Sequence, residues 1–242
     1  MPSPAKGRVP DADTVSESNL LLPLSILFMK KQNNIIKEWE KFFKSIGLPN
    51  SIIVEYIDYI TPLLQNNLPI IFEINHLSKL LGRKESYITS VAFCSEKHYR
   101  TFEIPKKSGG YRIINSPYPA LLECQYWIYE NILSQVPIHS AAQAYTNKKS
   151  IITNARSHIG NNAFLKLDLK DFYPSIKRSR IVRTFQSLGY AENVAFLLAS
   201  LCCNNECLPQ GAPTSPALSN IIAYHLDVRL SKLATKIGLV YT

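Results

Sequence analysis

The sequence lacks a long hydrophobic run and contains few cysteines. No apolar stretch approaches the roughly 20 residues that a membrane span requires, and residues 1–19 contain no apolar core of the signal-peptide kind. Five cysteines are an odd number in a chain without an export signal, which disfavours a disulfide framework. Cys203 and Cys207 could supply two zinc ligands, but a closed zinc site needs four, so ordinary buried or loop cysteines are favoured. These absences predict a soluble, cytoplasmic protein with no membrane partner.

Acidic residues are scarce in one part of the chain. The protein has 27 Lys or Arg and 18 Asp or Glu, which gives a net charge of +9. Residues 97–183 hold 14 Lys or Arg against 5 Asp or Glu, whereas the remainder holds 13 of each sign. The whole excess therefore lies in one third of the chain. A concentrated excess of this kind indicates a surface that binds a polyanion, and it favours nucleic acid as the partner.

The apolar spacing changes along the chain. Residues 1–19 are polar and predict a disordered leader, and residues 20–97 repeat apolar positions at spacings of three and four, which predicts a helical module. YRTFEIP and YRIINSP then flank KKSGG, a pattern that predicts a β-hairpin with a basic turn. In the following LLECQYWIYENILSQ, one predicted helical face carries Leu121, Cys124, Ile128 and Ile132.

The last third of the chain predicts two strands and three helices: the basic SIKRSRIVRTFQSLG, the mostly apolar AENVAFLLASLCC and a long last helix. FLKLDL at 164–169 alternates as a strand, with Leu165, Leu167 and Leu169 on the face that packs against helices and Phe164, Lys166 and Asp168 on the other. Ser215 is the predicted N-cap of the last helix, Pro216 lies in its first turn and Gly238 ends it. Its apolar stripe comprises Leu218, Ile222, Leu226, Leu230, Leu233 and Ile237. LVYT at 239–242 begins another predicted strand.

Asp168 is the candidate metal ligand. A carboxylate at the end of a strand, beside the reversal at 171–174, is well placed to hold Mg²⁺, which prefers oxygen ligands and phosphates. By itself this signal is weak, because an isolated Asp near a turn is more often a hydrogen-bonding turn residue.

Several motifs in a fixed order resemble a known family. LDLKDFYPSI at 167–176 and LPQGAPTSPALSN at 208–220 resemble the palm motifs of reverse transcriptases of the retron and group II intron type. Upstream, HLSKLLG, KHYRTFEIPKKSGGYRII and HSAAQAYTNKKSI resemble the N-terminal and fingers motifs of the retron enzymes. The resemblance covers about residues 70–242. It implies an α+β fold: a helical N-terminal module at 20–97, fingers at 98–163 and an incomplete palm at 164–242. The palm would be an antiparallel sheet backed by helices, and the chain would return to the fingers at about 186–207.

The resemblance also implies roles for particular residues. Asp168 and the backbone carbonyl of Leu169 would be metal ligands in a site that holds two Mg²⁺ ions. The residues expected to bind the nucleotide are Lys106 or Lys107, Arg112, Asp171, Phe172, Tyr173, Gln210 and Gly211. Asp171 and Phe172 would present backbone N–H groups to the triphosphate, and Tyr173 would be the bulky gate that disfavours a ribose 2′-OH. Arg112 would stack on the base and reach phosphate oxygens. Gly211 would let the backbone approach the ligand closely.

Basic residues surround the predicted active strand. The set comprises Lys170, Lys177, Arg178, Arg180 and Arg183, and we expect it to follow a nucleic-acid phosphate backbone. A solvated helix face is the alternative interpretation of the same charges.

The chain departs from the family pattern in its carboxylates. The resemblance implies three around the metals, and this chain supplies only Asp168. The missing pair would lie in a Tyr-x-Asp-Asp turn on the strand that LVYT begins, so we predict that the isolated chain does not polymerise DNA unless another chain supplies the rest.

The resemblance implies a template RNA, an RNA/DNA hybrid and dNTPs as partners. A structured non-coding RNA, a defence effector protein and a role in antiviral defence follow from it as further expectations. The alternative is a natural short protein that binds RNA in a polymerase-like basic cleft without chemistry. A basic helical adaptor for protein partners is disfavoured by the ordered set of motifs.

Overall fold

The computed structural model describes residues 24–106, 109–146 and 148–242, and describes side chains from Gln32 onward. The predicted leader at 1–19 and the candidate residue Lys107 lie outside the described residues. The chain forms two compact units, of which the first ends at Ile53 and the second begins at Val54. The domain boundaries that the sequence predicts at 97/98 and 163/164 stay predictions.

Helices dominate the described residues. They are, in order, α1 (Leu24–Ser45), α2 (Asn50–Gln65), α3 (Ile74–Leu81), α4 (Glu85–Phe93), α5 (Pro119–Asn131), α6 (Ile151–Arg156), α7 (Phe172–Ser175), α8 (Arg178–Ser187), α9 (Glu192–Cys202) and α10 (Thr214–Lys236). Two short 3₁₀ helices lie at Ser95–His98 and Leu133–Gln135. The helical pattern predicted over 20–97 is confirmed in the part described, where α1 to α4 follow one another.

In the first unit, three aromatic side chains of α1 pack together. The ring centroid of Trp39 lies 5.9 Å from that of Phe42 and 5.4 Å from that of Phe43. Positions 39, 42 and 43 share one helical face because they are three and four residues apart.

The core of the second unit is built around α9. This helix packs against α4, α5 and α8, and its residues from 198 to 202 are all buried. The predicted apolar face of α5 is confirmed, since Leu121, Cys124, Ile128 and Ile132 are all buried. A nearly continuous apolar sequence such as AENVAFLLASLCC therefore forms the central helix, surrounded on several sides.

A buried glutamine joins three elements of this core. Gln125 of α5 is fully buried, and its Nε2 donates hydrogen bonds to the hydroxyl of Tyr99 over 2.7 Å and to the carbonyl of Leu201 over 2.8 Å. Its Oε1 has no hydrogen-bond partner among the described residues. The two bonds tie α5 to the start of the hairpin and to the end of α9.

The predicted β-hairpin is confirmed. Strands β1 (Tyr99–Pro105) and β2 (Tyr111–Pro117) pair antiparallel, from Tyr99 opposite Pro117 to Pro105 opposite Tyr111. Gly109 and Gly110 have φ of +88° and +78°, the left-handed conformation that the paired glycines of KKSGG allow. It is the one sheet among the described residues.

The prediction of a strand at FLKLDL is wrong. Residues 163–169 have no regular secondary structure, and the leucines predicted to pack against helices are exposed: Leu165 by 80%, Leu167 by 78% and Leu169 by 58%. A strand needs a hydrogen-bonded neighbour, and no described residue pairs with this segment. The strand predicted at 239–242 is likewise not formed.

The last helix begins earlier than predicted. Helix α10 starts at Thr214, so Ser215 is inside it and buried, and its Oγ donates to the carbonyl of Pro209 over 2.7 Å instead of capping the helix. The predicted stripe is buried only near the start of α10, at Leu218, and its C-terminal members Leu233 and Ile237 are 54% and 59% exposed.

The five cysteines are free thiols, and Cys124, Cys202 and Cys203 are buried. Burial raises the pKa of the Cys202 thiol to about 12, so it stays protonated at neutral pH. None of the described helices combines the length and the apolar composition that a bilayer crossing requires.

We expect Gln125→Met to destabilise the second unit by about 1–3 kcal/mol, because it leaves the Leu201 carbonyl and the Tyr99 hydroxyl buried without their donor. The measurement is the free energy of unfolding from urea titration followed by circular dichroism. Gln186→Met, at an exposed position of α8, is the matched control and should change that free energy by less than about 0.5 kcal/mol. Equal effects of the two substitutions would contradict the role given to the buried amide.

Candidate nucleotide-binding site

The segment that carries Asp168 is exposed to solvent along its whole length, from residue 163 to residue 170. Asp171 follows three residues later, and three peptide units limit the distance between the Cα atoms of Asp168 and Asp171 to about 11 Å. Asp168 therefore lies beside the turn that begins at Asp171.

That turn starts with a left-handed residue, a conformation that is uncommon outside glycine and that aspartate adopts more readily than most residues. Asp171 has φ of +49° and ψ of +41°, in the left-handed region, and it directly precedes the one-turn helix α7. The Ser175 N–H donates to the Asp171 carbonyl over 2.9 Å, whereas the first N–H groups of a helix have no acceptor within the helix. Strained backbone next to free N–H groups is typical of ligand-binding turns.

Tyr173 is half-buried beside the start of α10. Its ring centroid lies 5.8 Å from that of Phe172, and both side chains pack against the core of the second unit. Burial raises the pKa of the Tyr173 hydroxyl; the adjacent Tyr145 adds to the increase, and a hydrogen bond with Ser219 opposes it. The phenol is therefore neutral at physiological pH, and its ring is held between the 139–150 segment and α10.

Two motif segments are joined by a short antiparallel pairing, which we call the junction: residues 176–178 against residues 206–208. The Leu208 N–H donates to the Ile176 carbonyl over 3.0 Å, and the Arg178 N–H donates to the Glu206 carbonyl over 2.8 Å. The junction connects the end of the turn at 171–175 to the start of the loop that contains Gln210. No pattern in the sequence predicts this pairing.

Gln210 and Gly211 lie against strand β2. The Asn115 N–H donates to the Gln210 carbonyl over 2.7 Å. Gly211 has φ of +122°, and a Cβ added there would lie 2.8 Å from Ile114 Cγ2 and 2.9 Å from the Asn115 carbonyl oxygen. The close approach of the hairpin backbone therefore already requires glycine at this position, and the approach of a ligand stays a prediction.

Arg112 lies on the hairpin face that meets Gly211. The register pairs Arg112 with Ile104 and Ile114 with Phe102, and alternate residues of a strand share a face. Because Ile114 approaches Gly211, the exposed Arg112 lies about 7 Å farther along the same face, two residues away.

Lys106 is exposed at the turn of the hairpin, where its N–H donates to the Gly110 carbonyl over 2.9 Å. The structure thus brings the hairpin that carries Lys106 and Arg112, the loop at 208–211 and the turn at 171–175 into one connected region.

The five basic residues do not behave alike. Lys170, Lys177, Arg180 and Arg183 are exposed, as a phosphate-binding role requires. Arg178 is not: its guanidinium forms an ion pair with Glu206 and hydrogen bonds with internal groups of the fold. Arg178 is therefore less available to nucleic-acid phosphate than the other four residues, and the contact predicted for it stays a prediction.

Tyr145 was missed by the residue-level predictions. It has φ of +56°, and it borders a cavity of about 430 Å³. The cavity is lined by Tyr129, Tyr145, Thr146, Lys149, Pro213, Pro216 and Ala217. The signal available in the sequence was the motif HSAAQAYTNKKSI as a whole, because a left-handed tyrosine is not recognisable from residue type.

The oxygen donors suit a hard divalent cation that also binds phosphate. Asp168 and Asp171 offer exposed carboxylates, and Mg²⁺ is commonly held by one or two carboxylates together with substrate phosphates and water. Among the described residues, no three His, Cys, Asp or Glu side chains group closely enough to hold a metal by themselves. The donor set therefore fits a metal that arrives with a nucleotide.

Comparison with known proteins agrees with this arrangement. Residues 104–241 match the family described as reverse transcriptase (RNA-dependent DNA polymerase). The matched region contains the hairpin from Ile104 onward, the turn at 171–175, the junction and the loop at 208–211. It covers more than half of the chain, so the protein belongs to the reverse transcriptase family.

Bacterial retron proteins are among its relatives. The chain is 36% identical over 188 residues to the retron Mx162 reverse transcriptase of Myxococcus xanthus, a match that covers 69% of this chain and 39% of that protein. It is 33% identical over 177 residues to the retron Ec86 reverse transcriptase of Escherichia coli, covering 72% of this chain and 55% of that protein. The chain therefore spans roughly 40–55% of the length of these two relatives. The resemblance to retron-type reverse transcriptases is confirmed.

We expect Gly211→Ala to separate the loop from the hairpin and to cost about 2–4 kcal/mol, because the added Cβ meets backbone and the residue is left at a positive φ. Gly238→Ala is the matched control, since Gly238 also has a positive φ but a Cβ there meets nothing within 4 Å. Urea unfolding gives the two costs. Hydrogen exchange of the Asn115 amide should increase in the first variant only, and equal exchange in both would contradict the proposed contact.

Proposed function

We propose that this chain forms the nucleotide-binding part of an RNA-directed DNA polymerase of the retron type. One observation carries the proposal: the junction and the Asn115–Gln210 hydrogen bond bring three separate motif segments into one region. These segments carry the residues that the family resemblance assigns to the incoming nucleotide. A sequence match alone does not require that these segments lie together in the fold.

The hairpin and the two loops would bind different parts of the nucleotide. The planar guanidinium of Arg112 would stack on the base and reach phosphate oxygens, with Lys106 or Lys107 at the outer phosphates. The backbone N–H groups of Asp171 and Phe172 would donate to the triphosphate. Gln210 and Gly211 would line the pocket from the opposite side.

Asp168 and the carbonyl of Leu169 would hold Mg²⁺ together with the triphosphate. When bound, the metal neutralises phosphate charge and supports an in-line phosphoryl transfer, which in the complete site would use two ions. Asp168 fixes the metal end of the nucleotide, and Tyr173 fixes its sugar end by filling the space beside C2′.

The exposed Lys170, Lys177, Arg180 and Arg183 would contact the phosphate backbone of an RNA template or an RNA/DNA hybrid, which binds through charge neutralisation. A cytoplasmic location, a structured RNA partner, a defence effector and a role in antiviral defence belong to this proposal through the relationship to retron proteins.

The second candidate is an RNA-binding protein that performs no chemistry. The exposed Lys170, Lys177, Arg180 and Arg183 favour it, because they would bind RNA whether or not a metal is held at Asp168. It predicts RNA binding without metal-dependent nucleotide binding, and so the two candidates can be separated by one titration of the unaltered chain with labelled dNTP, with and without Mg²⁺.

We expect Asp168→Asn to weaken Mg²⁺-dependent dNTP binding by at least about tenfold, because one charged oxygen ligand is lost. RNA affinity should change by less than about twofold, since Asp168 makes no favourable contact with phosphate. Asp227→Asn is the control: this carboxylate accepts a hydrogen bond from Tyr241 in the structure and has no assigned role. Equal loss of RNA and dNTP binding in the Asp168 variant would indicate misfolding or a purely RNA-binding protein.

We expect Tyr173→Ala to reduce discrimination against ribonucleotides by about tenfold, because the ring no longer excludes the 2′-OH. The measurement is the ratio of dissociation constants for GTP and dGTP in the presence of Mg²⁺. Tyr173→Phe keeps the ring and should keep the ratio. An unchanged ratio in the alanine variant would remove Tyr173 as the gate.

A further inference from the structure

The side chain of Arg178 makes an unusual number of internal contacts for a residue at the start of a basic helix. Its guanidinium forms an ion pair with Glu206, and Nη1 lies 3.1 Å from the carbonyl oxygen of Ala92 and 3.4 Å from Ser200 Oγ. Its Cζ lies 4.9 Å from the ring centroid of Phe196. Lysine could not make these contacts together, because its ammonium has neither the plane nor the fork of the guanidinium.

These contacts join α8, which Arg178 begins, to three other elements. Ala92 is near the end of α4, Phe196 and Ser200 belong to α9, and Glu206 lies in the turn at 204–207. The backbone of Arg178 is itself one half of the junction, through its N–H bond to the Glu206 carbonyl. One residue thus fixes the junction to the core of the second unit by side chain and main chain at once.

The turn at 204–207 depends on contacts such as the one between Arg178 and Glu206. Asn205 and Glu206 have φ of +45° and +66°, which makes a two-residue type I′ turn closed by reciprocal backbone bonds between Asn204 and Cys207. A left-handed glutamate is an unfavourable choice of residue for this turn, and it persists where surrounding contacts hold it. The ion pair with Arg178 is such a contact.

The nucleotide site adjoins both strands of the junction. Tyr173 precedes Arg178 by five residues, and Gln210 follows Glu206 by four. The distance between the gate side chain and the pocket loop is therefore set where residues 176–178 pair with residues 206–208. A change in that pairing would move Tyr173 relative to Gln210 without removing either.

We propose that Arg178 is a positioning residue of the nucleotide site, which holds the loop at 206–211 against the segment at 171–178 and thereby sets dNTP affinity and sugar discrimination. This inference rests on the proposed function. It replaces the contact with nucleic-acid phosphate that the sequence predicted for this arginine.

Arg178→Lys tests the inference because it keeps the charge and loses the fork. We expect the dissociation constant for Mg²⁺-dGTP to increase by about tenfold, the scale of a small misplacement of binding groups. The ratio of the GTP to the dGTP constant should fall by at least about threefold, a ratio that is independent of the fraction of folded protein. RNA affinity should not change, because the guanidinium fork that lysine lacks is engaged within the fold and not with phosphate.

Arg83→Lys is the matched control. Arg83 also forms an ion pair with a glutamate, Glu123, and its side chain is 27% exposed, against 22% for Arg178. Both variants should lose some stability, but only the Arg178 variant should change the GTP to dGTP ratio. Glu206→Gln removes the same ion pair from the other side, and it should also lower the GTP to dGTP ratio. It therefore provides a second test if the Arg178 variant does not fold.

An unchanged ratio in both the Arg178 and the Glu206 variants would overturn the inference while leaving the proposed function intact. A fall in RNA affinity with an unchanged ratio would overturn it in favour of the phosphate contact. If the unaltered chain binds no dGTP, the proposed function itself fails and the inference fails with it.

Discussion

The candidate site depends on two places where backbone meets backbone. At the junction, residues 176–178 pair with residues 206–208, and at the hairpin the Asn115 N–H donates to the Gln210 carbonyl. Neither contact involves a side chain that would bind a nucleotide. Both are possible only because the backbones approach closely, which at residue 211 requires glycine. The binding residues are thus held in place by backbone hydrogen bonds that lie beside buried side chains such as Ile176 and Leu208.

Local patterns were sufficient to predict the elements whose hydrogen bonds form between residues close together in the sequence. The face of α5, the hairpin around KKSGG and the end of α10 before Gly238 follow from spacing of three and four, alternation and turn chemistry. FLKLDL has equally clear alternation, yet it forms no strand, because a strand is completed by a neighbour and none pairs with it among the described residues. Periodicity predicts which face of a strand is apolar, but it does not show whether a second strand is present to pair with it.

The site was predictable as a set of motifs and less so as individual contacts. Arg112, Tyr173 and Gln210 lie on segments that the structure joins, in agreement with the family resemblance. Arg178 could not be separated from its basic neighbours by sequence, because its role depends on Ala92, Ser200 and Glu206, which are distant along the chain. The sequence shows that a residue is basic. Only the fold shows whether its charged group faces solvent or a buried carbonyl.

Glu206 combines two demands that conflict. Its left-handed backbone would be better served by glycine, which has no Cβ penalty at positive φ, and such replacements commonly stabilise a type I′ turn. Glycine would also leave Arg178 without its carboxylate at the edge of the core. Selection for a more stable turn and selection for a well-ordered pocket therefore act in opposite directions at this one residue, which makes it a poor position for engineering greater thermal stability.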